Sequence, residues 1–165
     1  MVSQLMKLSL KNLQGFTLIE VLVSLILTSL AFTIFLQALN AGKSVRQKSE
    51  LRTKQSVILN SLENQIRARR YDENISEPWS STLGKDVGES SISQFDDVDD
   101  FHLYSETSIS DAPGFGFDVS VYYTSTQSKF RSASSNQSNF KSIVVRVSHL
   151  SISSLIDTLI ITPNW

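Results

Sequence analysis

The chain of 165 residues contains no cysteine, so it can form no disulfide, no thiolate metal site and no thiol nucleophile. Proline is scarce and none precedes Pro78, so no proline forces a kink in an N-terminal helix. The two histidines, His102 and His149, lack metal-ligand spacing, which favours ordinary strand-end or surface imidazoles. The sequence also lacks a Gly-x-Ser-x-Gly elbow and a glycine-rich phosphate loop. These absences predict a protein that is not an enzyme and that needs no cofactor and no metal.

The chain has no strong overall excess of charge, but its net charge of −1 conceals three blocks of opposite sign. Residues 43–70 carry eight basic and two acidic side chains, residues 71–118 one basic and twelve acidic, and residues 119–165 four basic and one acidic. No uniform basic face results, and the basic block follows an apolar run, where lipid headgroups would lie. We therefore expect no nucleic-acid partner.

Residues 16–39 form an apolar run in which Glu20 is the one charged side chain. A bilayer core about 30 Å thick needs roughly 20 helical residues, so this run predicts a membrane-spanning helix. A simple count of flanking positive charge would place the C-terminal side in the cytoplasm. However, the boundary between polar and apolar residues precedes the run instead of following it, unlike that of an ordinary secretory signal. Cleavage at this boundary would keep the helix in the product.

The residues at that boundary resemble the cleavage and N-methylation motif of type IV prepilins and of type II secretion pseudopilins. The matching residues are Gly15, Phe16, Thr17, Leu18, Ile19, Glu20, Val21, Leu22 and Val23. The resemblance implies that a prepilin peptidase of the membrane cuts after an indispensable Gly15 and methylates the new amine of Phe16. Residues 1–15 are then the leader peptide, and the domain after the helix lies in the periplasm. Either Met1 or Met6 can be the true start.

Glu20 needs compensation, because a carboxylate at the centre of a membrane helix costs roughly 2.5–3.5 kcal/mol, and less near an interface. The resemblance implies that it pairs with the amine of Phe16 on a neighbouring subunit and so sets the packing of subunits in a filament. The alternative is a wet carboxylate in the first helical turn, which the helix macrodipole favours.

A weaker helical periodicity continues through residues 40–70 and predicts an amphipathic extension of the helix. Its apolar stripe is concentrated in residues 57–66, where a sheet could pack. The resemblance implies a long first helix with this layout. The stripe includes Val45, Leu51, Ile58, Leu62 and Ile66.

Residues 71–100 are acidic and serine-rich, which predicts a long irregular connection. Residues 69–74 and 95–102 resemble a motif pair of D-type minor pilins of the mannose-sensitive haemagglutinin (MSHA) pilus. We predict a structural role, in which the carboxylates cap turns and pair with Arg69 and Arg70. A calcium site is the alternative, although the spacing of an EF-hand loop is absent. The candidate residues are Arg70, Asp72, Asp96, Asp97, Asp99 and Asp100.

The period changes to two from Phe101 onward and predicts three antiparallel strands, at residues 115–123, 142–148 and 158–162. The polar residues 125–139 have no hydrophobic anchor except Phe130, which predicts a mobile loop. Three strands with one apolar face need a cover, and the helix stripe can supply it. The expected fold is α+β, a type IV pilin-like lollipop with a globular domain at residues 71–165.

Together these features predict a minor pilin of an MSHA-like type IV pilus, which is assembled through its N-terminal helix and supports pilus biogenesis and surface attachment. Its expected partners are other pilins, prepilin peptidase, the inner-membrane assembly machinery and, before assembly, membrane lipid. Its expected location is the inner membrane and then the extracellular pilus. Two alternatives stay open: a minor pseudopilin of a type II secretion system, and a tip adhesin or DNA-capture pilin that uses residues 125–139.

Overall fold

A computed structural model describes residues 15–163 of the protein, in two compact units that comprise residues 15–46 and 47–163. Helix α1 spans Leu18–Arg67 and contributes to both units, and a 3-10 turn follows at Asp99–Phe101. Four strands complete the order of elements: β1 (Ser105–Glu106), β2 (Phe115–Tyr123), β3 (Lys141–His149) and β4 (Ile152–Ile161).

The first unit contains the N-terminal part of α1. Within the described residues, α1 is the helix long and apolar enough to cross a membrane, by its length and composition. Its large apolar side chains are exposed in this unit, because no described residue covers them. Such a surface needs lipid or the apolar helices of other subunits around it.

The second unit is a helix packed on a sheet. The four strands form one antiparallel sheet in the order β1-β2-β3-β4, with Val119 opposite Val145 and Val145 opposite Asp157. Alternate residues of β2 and β3 face the C-terminal part of α1 and are buried there. The amide of Gln55 on α1 also donates a hydrogen bond of 2.7 Å to the carbonyl of Val147. The core residues are Leu59, Leu62, Ile66, Phe95, Val98, Phe101, Phe115, Phe117, Val119, Val121, Ile143, Val145, Val147 and Leu159.

This arrangement confirms the α+β fold class, with the apolar stripe of the helix as the cover of the sheet. The number of strands was wrong, because the two-residue strand β1 is too short to show a period. The third predicted strand was also too short. It begins at Ile152 rather than at residue 158, and irregular pairing between Val147 and His149 precedes it. Exposed neighbouring residues break the alternation in the first half of β4, so the sequence pattern does not predict this half as a strand.

Helix α1 ends at Arg67, three residues before the predicted end at Arg70. The backbone of Arg70 leaves the helix because it forms an isolated parallel bridge to Asp97, and its N–H donates to the carbonyl of Asp96. The connection from the end of α1 to residue 98 has no helix or strand and is held by side-chain contacts.

Candidate functional site

The predicted cleavage junction lies immediately before α1. Gly15, Phe16 and Thr17 are exposed and outside the helix, and Phe16 is 79% exposed. A peptide bond in such a segment is accessible to a protease in a way that a helical bond is not. The rest of the predicted leader, residues 1–14, lies outside the described residues.

Thr17 caps the helix that the cleaved product would begin with. Its carbonyl accepts the N–H groups of Glu20 at 3.0 Å and of Val21 at 3.2 Å. Its hydroxyl also lies 3.4 Å from the N–H of Glu20. Glu20 is exposed in the first turn of α1, next to the positive end of the helix dipole. This position suits both the predicted pairing with a neighbour's Phe16 amine and the alternative of a solvated carboxylate.

The serine and threonine hydroxyls of residues 18–39 bind the helix's own backbone. The hydroxyls of Ser24 and Thr28 donate to the carbonyls of Glu20 and Ser24, each at 2.7 Å. Thr33 makes the same contact to the carbonyl of Ser29 at 2.8 Å. A hydroxyl bonded in this way needs no partner in the hydrocarbon region. Glu20 is the charged group of this segment, and a charge in the hydrocarbon region needs a partner outside the helix.

A second cluster joins the two predicted motif stretches in the C-terminal unit. The guanidinium of Arg70 forms an ion pair with Asp96, and both side chains are about half exposed. Arg69 donates to the carbonyl of Ile92 at 3.1 Å instead of to a carboxylate, so its predicted pairing with the aspartates was wrong. The Arg70–Asp96 pair therefore brings the start of the irregular connection next to its end.

Asp97 and Asp100 hold the turn that follows. A carboxylate oxygen of Asp100 accepts the N–H groups of Asp96 at 2.9 Å and of Asp97 at 3.1 Å. A carboxylate oxygen of Asp97 accepts the N–H groups of Asp99 at 2.8 Å and of Asp100 at 3.3 Å. These reciprocal bonds cap the backbone of the 3-10 turn, which is a structural use of the carboxylates.

Lys141 connects this turn to the sheet, and its side chain is fully buried. Its ammonium donates to the carbonyl of Tyr71 at 2.7 Å, to Asp72 at 2.9 Å and to Asp99 at 2.6 Å. All three N–H donors therefore have acceptors, and the rings of Tyr71 and Tyr123 flank the cation at 4.5 and 5.4 Å. We call these five residues (Tyr71, Asp72, Asp99, Tyr123 and Lys141) the lysine clasp.

The sequence prediction missed Lys141, although a signal for it was present. Lys141 shares the odd-numbered parity of Ile143, Val145 and Val147, which places it on the buried face of β3. A lysine on such a face requires carboxylates opposite it. The motif aspartates are the residues that supply them.

Burial and charge shift the pKa values of the groups around the clasp. Burial raises the pKa of Asp72, but the hydrogen bond from Lys141 and the backbone N–H of Asn74 outweigh burial and hold it below its usual value. Burial, followed by the charge of Asp72, raises the pKa values of both Tyr71 and Tyr123. Asp72 is therefore ionised and paired, whereas the tyrosines stay neutral and donate hydrogen bonds.

Asp97 behaves in the opposite way. Burial, together with the hydrogen bond and charge of Asp99, raises the pKa of Asp97 to about 8. Two groups of carboxylates near it have ligand atoms close enough to share a cation: Glu73, Asp96 and Asp97, and Glu89, Asp96 and Asp100. Arg70 and backbone N–H groups already occupy part of this oxygen set. The geometry therefore favours the structural role over calcium binding.

The loop at residues 125–139, which the sequence predicts to be mobile, is fastened at its C-terminal side by hydrogen bonds. The hydroxyl of Tyr71 donates to the carbonyl of Ser138, and the indole N–H of Trp79 donates to Asn139 at 2.7 Å. These anchors come from the irregular connection, more than 50 residues away in the chain, so the loop's own composition could not predict them.

A stretch at the start of the chain, residues 10–36, also matches a known family. The family described as "Prokaryotic N-terminal methylation motif" matches residues 10–36, which include the cleavage junction, Glu20 and the start of the apolar helix. Comparison with curated proteins finds no match, and neither does comparison with solved structures. The matched motif supports a type IV pilin-like protein of the pilin or pseudopilin type, whose known work is structural. Together with the apolar helix, it fits a protein anchored in the inner membrane.

Proposed function

We propose that the protein is a minor pilin of an MSHA-like type IV pilus. Prepilin peptidase cleaves it after Gly15 and methylates Phe16, and the apolar part of α1 then carries the subunit into the filament. The observation that carries the proposal is the methylation motif, placed on an exposed segment directly before a capped apolar helix. The globular unit projects from the membrane into the periplasm before assembly and is displayed on the pilus afterwards.

The assignment to an MSHA-like pilus rests on the motif pair. Its two stretches, residues 69–74 and 95–102, contact each other through Arg70 and Asp96 and through the lysine clasp. Such contacts explain why the two stretches would be retained together in one class of minor pilin. They give no comparable support to a secretion pseudopilin, which is the principal rival.

Mass spectrometry of the full protein from membranes and from sheared surface filaments tests this proposal. We expect a mature chain that begins at methylated Phe16 in the sheared fraction. A Gly15→Val variant should remain unprocessed and stay in the membrane, whereas a Gly42→Ala variant should be processed normally. Processed protein that is confined to the membrane would instead indicate a pseudopilin, and an unmodified chain with residues 1–15 retained would contradict both readings.

A further inference from the structure

Strand β4 ends the sheet at a free edge. Within residues 15–163, β4 pairs with β3 and has no strand on its other side. At the opposite end of the sheet, residues 103–109 cover β2: the N–H of Leu103 donates to the carbonyl of Val119, and Val119 donates back to Tyr104. The edge at that end is the two-residue strand β1, whereas a ten-residue strand is left open at the other.

The outward-facing backbone groups of β4 follow from the register. The backbone N–H and carbonyl of Val119 form hydrogen bonds with residues 103 and 104, on the side away from β3. The backbone groups of its partner Val145 on β3 therefore point toward β4, where Asp157 lies opposite. By alternation, the backbone groups of Ile156, Thr158 and Ile160 face away from β3. These groups can accept an added strand.

Two carboxylates, those of Asp157 and Glu63, lie beside this edge, and β4 has no basic residue that could pair with them. Asp157 is the one charged residue of β4, and its position in the register places it on the face that packs against α1. Glu63 of α1 lies there too, is only 8% exposed, and has a buried carboxylate oxygen without a hydrogen-bond partner among the described residues. Burial, and then the charge of Asp157 and a side-chain hydrogen bond with it, raise the pKa of Glu63, and the charge of Arg67 lowers it only in part.

We propose that the β4 edge binds an extended segment of another subunit by strand addition, with a lysine or arginine of that segment placed between Asp157 and Glu63. The inference rests on the proposed function, because it takes the partner from the same filament assembly. Asp157 would face its counterpart on the added strand as a pair not bridged by backbone hydrogen bonds, in which side chains lie closest. A cation at that place would satisfy the buried oxygen of Glu63 and separate the two negative charges.

Asp157 also protects the edge until the partner arrives. Its carboxylate accepts the N–H of Thr158 at 2.7 Å and so covers one outward donor of the free strand. A cation that attracts Asp157 would release this N–H for pairing with the added strand. Binding of the partner's cation and backbone pairing of the added strand are therefore coupled.

The test places a photo-crosslinker, benzoylphenylalanine, at position 156 of the full chain in assembling cells, with position 150 as the control site. Ile156 lies on the edge and is 52% exposed, whereas Leu150 is 95% exposed in the turn before β4. We expect a crosslink from position 156, and peptide mass spectrometry should find a segment with lysine or arginine next to the crosslinked residue. A crosslink to β4 of a second copy would overturn the proposal, because Ile152–Ile161 contains no basic residue.

Charge reversal separates docking from folding. Asp157→Lys should maintain or raise the thermal midpoint of the detergent-solubilised full chain, because the new ammonium pairs with Glu63, yet it should lower the crosslink yield roughly ten-fold. Asp157→Asn should show a smaller loss. The matched control is Glu106→Lys on β1 at the opposite edge, which should retain the yield. An undiminished yield in Asp157→Lys, or an equal loss in Glu106→Lys, would overturn the proposal.

The two proposals fail in different ways. The crosslink can be measured in the membrane fraction as well as in sheared filaments. If the processed chain never reaches filaments but the crosslink depends on Asp157, the pilus assignment fails and the docking edge stands. If the chain enters filaments and position 156 yields no crosslink, the docking edge fails alone.

Discussion

At Lys141, three N–H donors meet three acceptors in a site that excludes water. An ion pair of this kind adds little net stability over an apolar core of the same shape, because both charges lose their hydration. Removing one partner is much more costly, since the other charges stay buried and unpaired. Asp72 and Asp99 are therefore the groups that make Lys141 indispensable.

We expect Lys141→Met to destabilise the protein by about 3–5 kcal/mol, because it leaves two buried carboxylates without their cation. Urea unfolding of the full chain in detergent, followed by tryptophan fluorescence, measures the loss. Arg146→Met is the matched control on the same strand, because Arg146 pairs with Asp118 at 3.8 Å and both are half exposed. It should cost less than about 1 kcal/mol. Equal effects of the two variants would contradict the account of the clasp.

Asp97 predicts how stability changes with pH. Its pKa is about 8 in the folded chain and roughly 3.9 in the unfolded chain, so the folded state retains a proton that the unfolded state loses between these values. Stability from this group is complete below about pH 4 and falls as the pH rises, by at most about 1.4 kcal/mol per unit, until about pH 8. Asp72 acts in the opposite direction, because its lowered pKa makes its contribution fall only in acid.

Asp97→Asn should therefore flatten the dependence of unfolding free energy on pH between about 5 and 8, since an amide keeps the acceptor oxygen and does not titrate. Urea unfolding of both proteins at several pH values provides the measurement. The same slope in wild type and variant would show that another group carries the dependence.

Among the elements, those with a sustained period could be predicted from the sequence. The apolar run of α1 and the alternation in β2 and β3 can be recognised within short stretches of sequence. The run is almost free of charge, and each of the two strands buries one face. Strand β1 could not be predicted because two residues are too few to show a period, and the first half of β4 could not because its exposed neighbours break the alternation. The same holds for the site: the methylation motif is local, whereas the contact of Lys141 with Asp72 and Asp99 joins three separated segments.

Gly116 shows what holds the short strand β1 in place. A Cβ at this position would lie 2.8 Å from the carbonyl oxygen of Glu106 and 3.0 Å from that of Thr107, closer than side-chain carbons approach backbone oxygens. The absence of a side chain therefore permits the contact between β1 and β2. This is a packing requirement and does not depend on a special backbone angle.

We expect Gly116→Ala to lower the unfolding free energy by about 1–3 kcal/mol through this overlap. Gly42→Ala provides the opposite control, because Gly42 lies within α1 and its Cβ would meet no atom within 4 Å. That change should leave stability unchanged or raise it by up to about 1 kcal/mol, as alanine favours the helix. Urea unfolding of each full-length variant in detergent decides, and a tolerated Gly116→Ala would mean that β1 is free to move away.

At the scale of the whole molecule, the two units satisfy their apolar residues differently. The C-terminal unit buries its own core between sheet and helix, whereas the N-terminal unit leaves its apolar side chains to surroundings outside the chain. Within that exposed apolar surface, Glu20 is the charged side chain, and its carboxylate requires a counter-charge or water. On the proposed function, its role belongs to assembly and not to folding.

We predict that Glu20→Val leaves processing and membrane insertion intact but prevents entry into surface filaments, because the neighbour's Phe16 amine loses its counter-charge. Thr28→Val is the control, since its hydroxyl bonds to its own helix and should be dispensable. Immunoblots of membrane and sheared fractions compare the two variants. Normal amounts of the Glu20→Val protein in filaments would disprove the assembly role.

The lysine clasp ties together positions 71, 72, 99, 123 and 141 by contacts that form and break freely. Its formation needs no electron acceptor and no disulfide isomerase, because the chain has no thiol to oxidise or to mispair. The chain can therefore fold without waiting for a disulfide to form. Its folding should proceed equally well with and without oxygen, at a pace independent of the cell's oxidative folding enzymes.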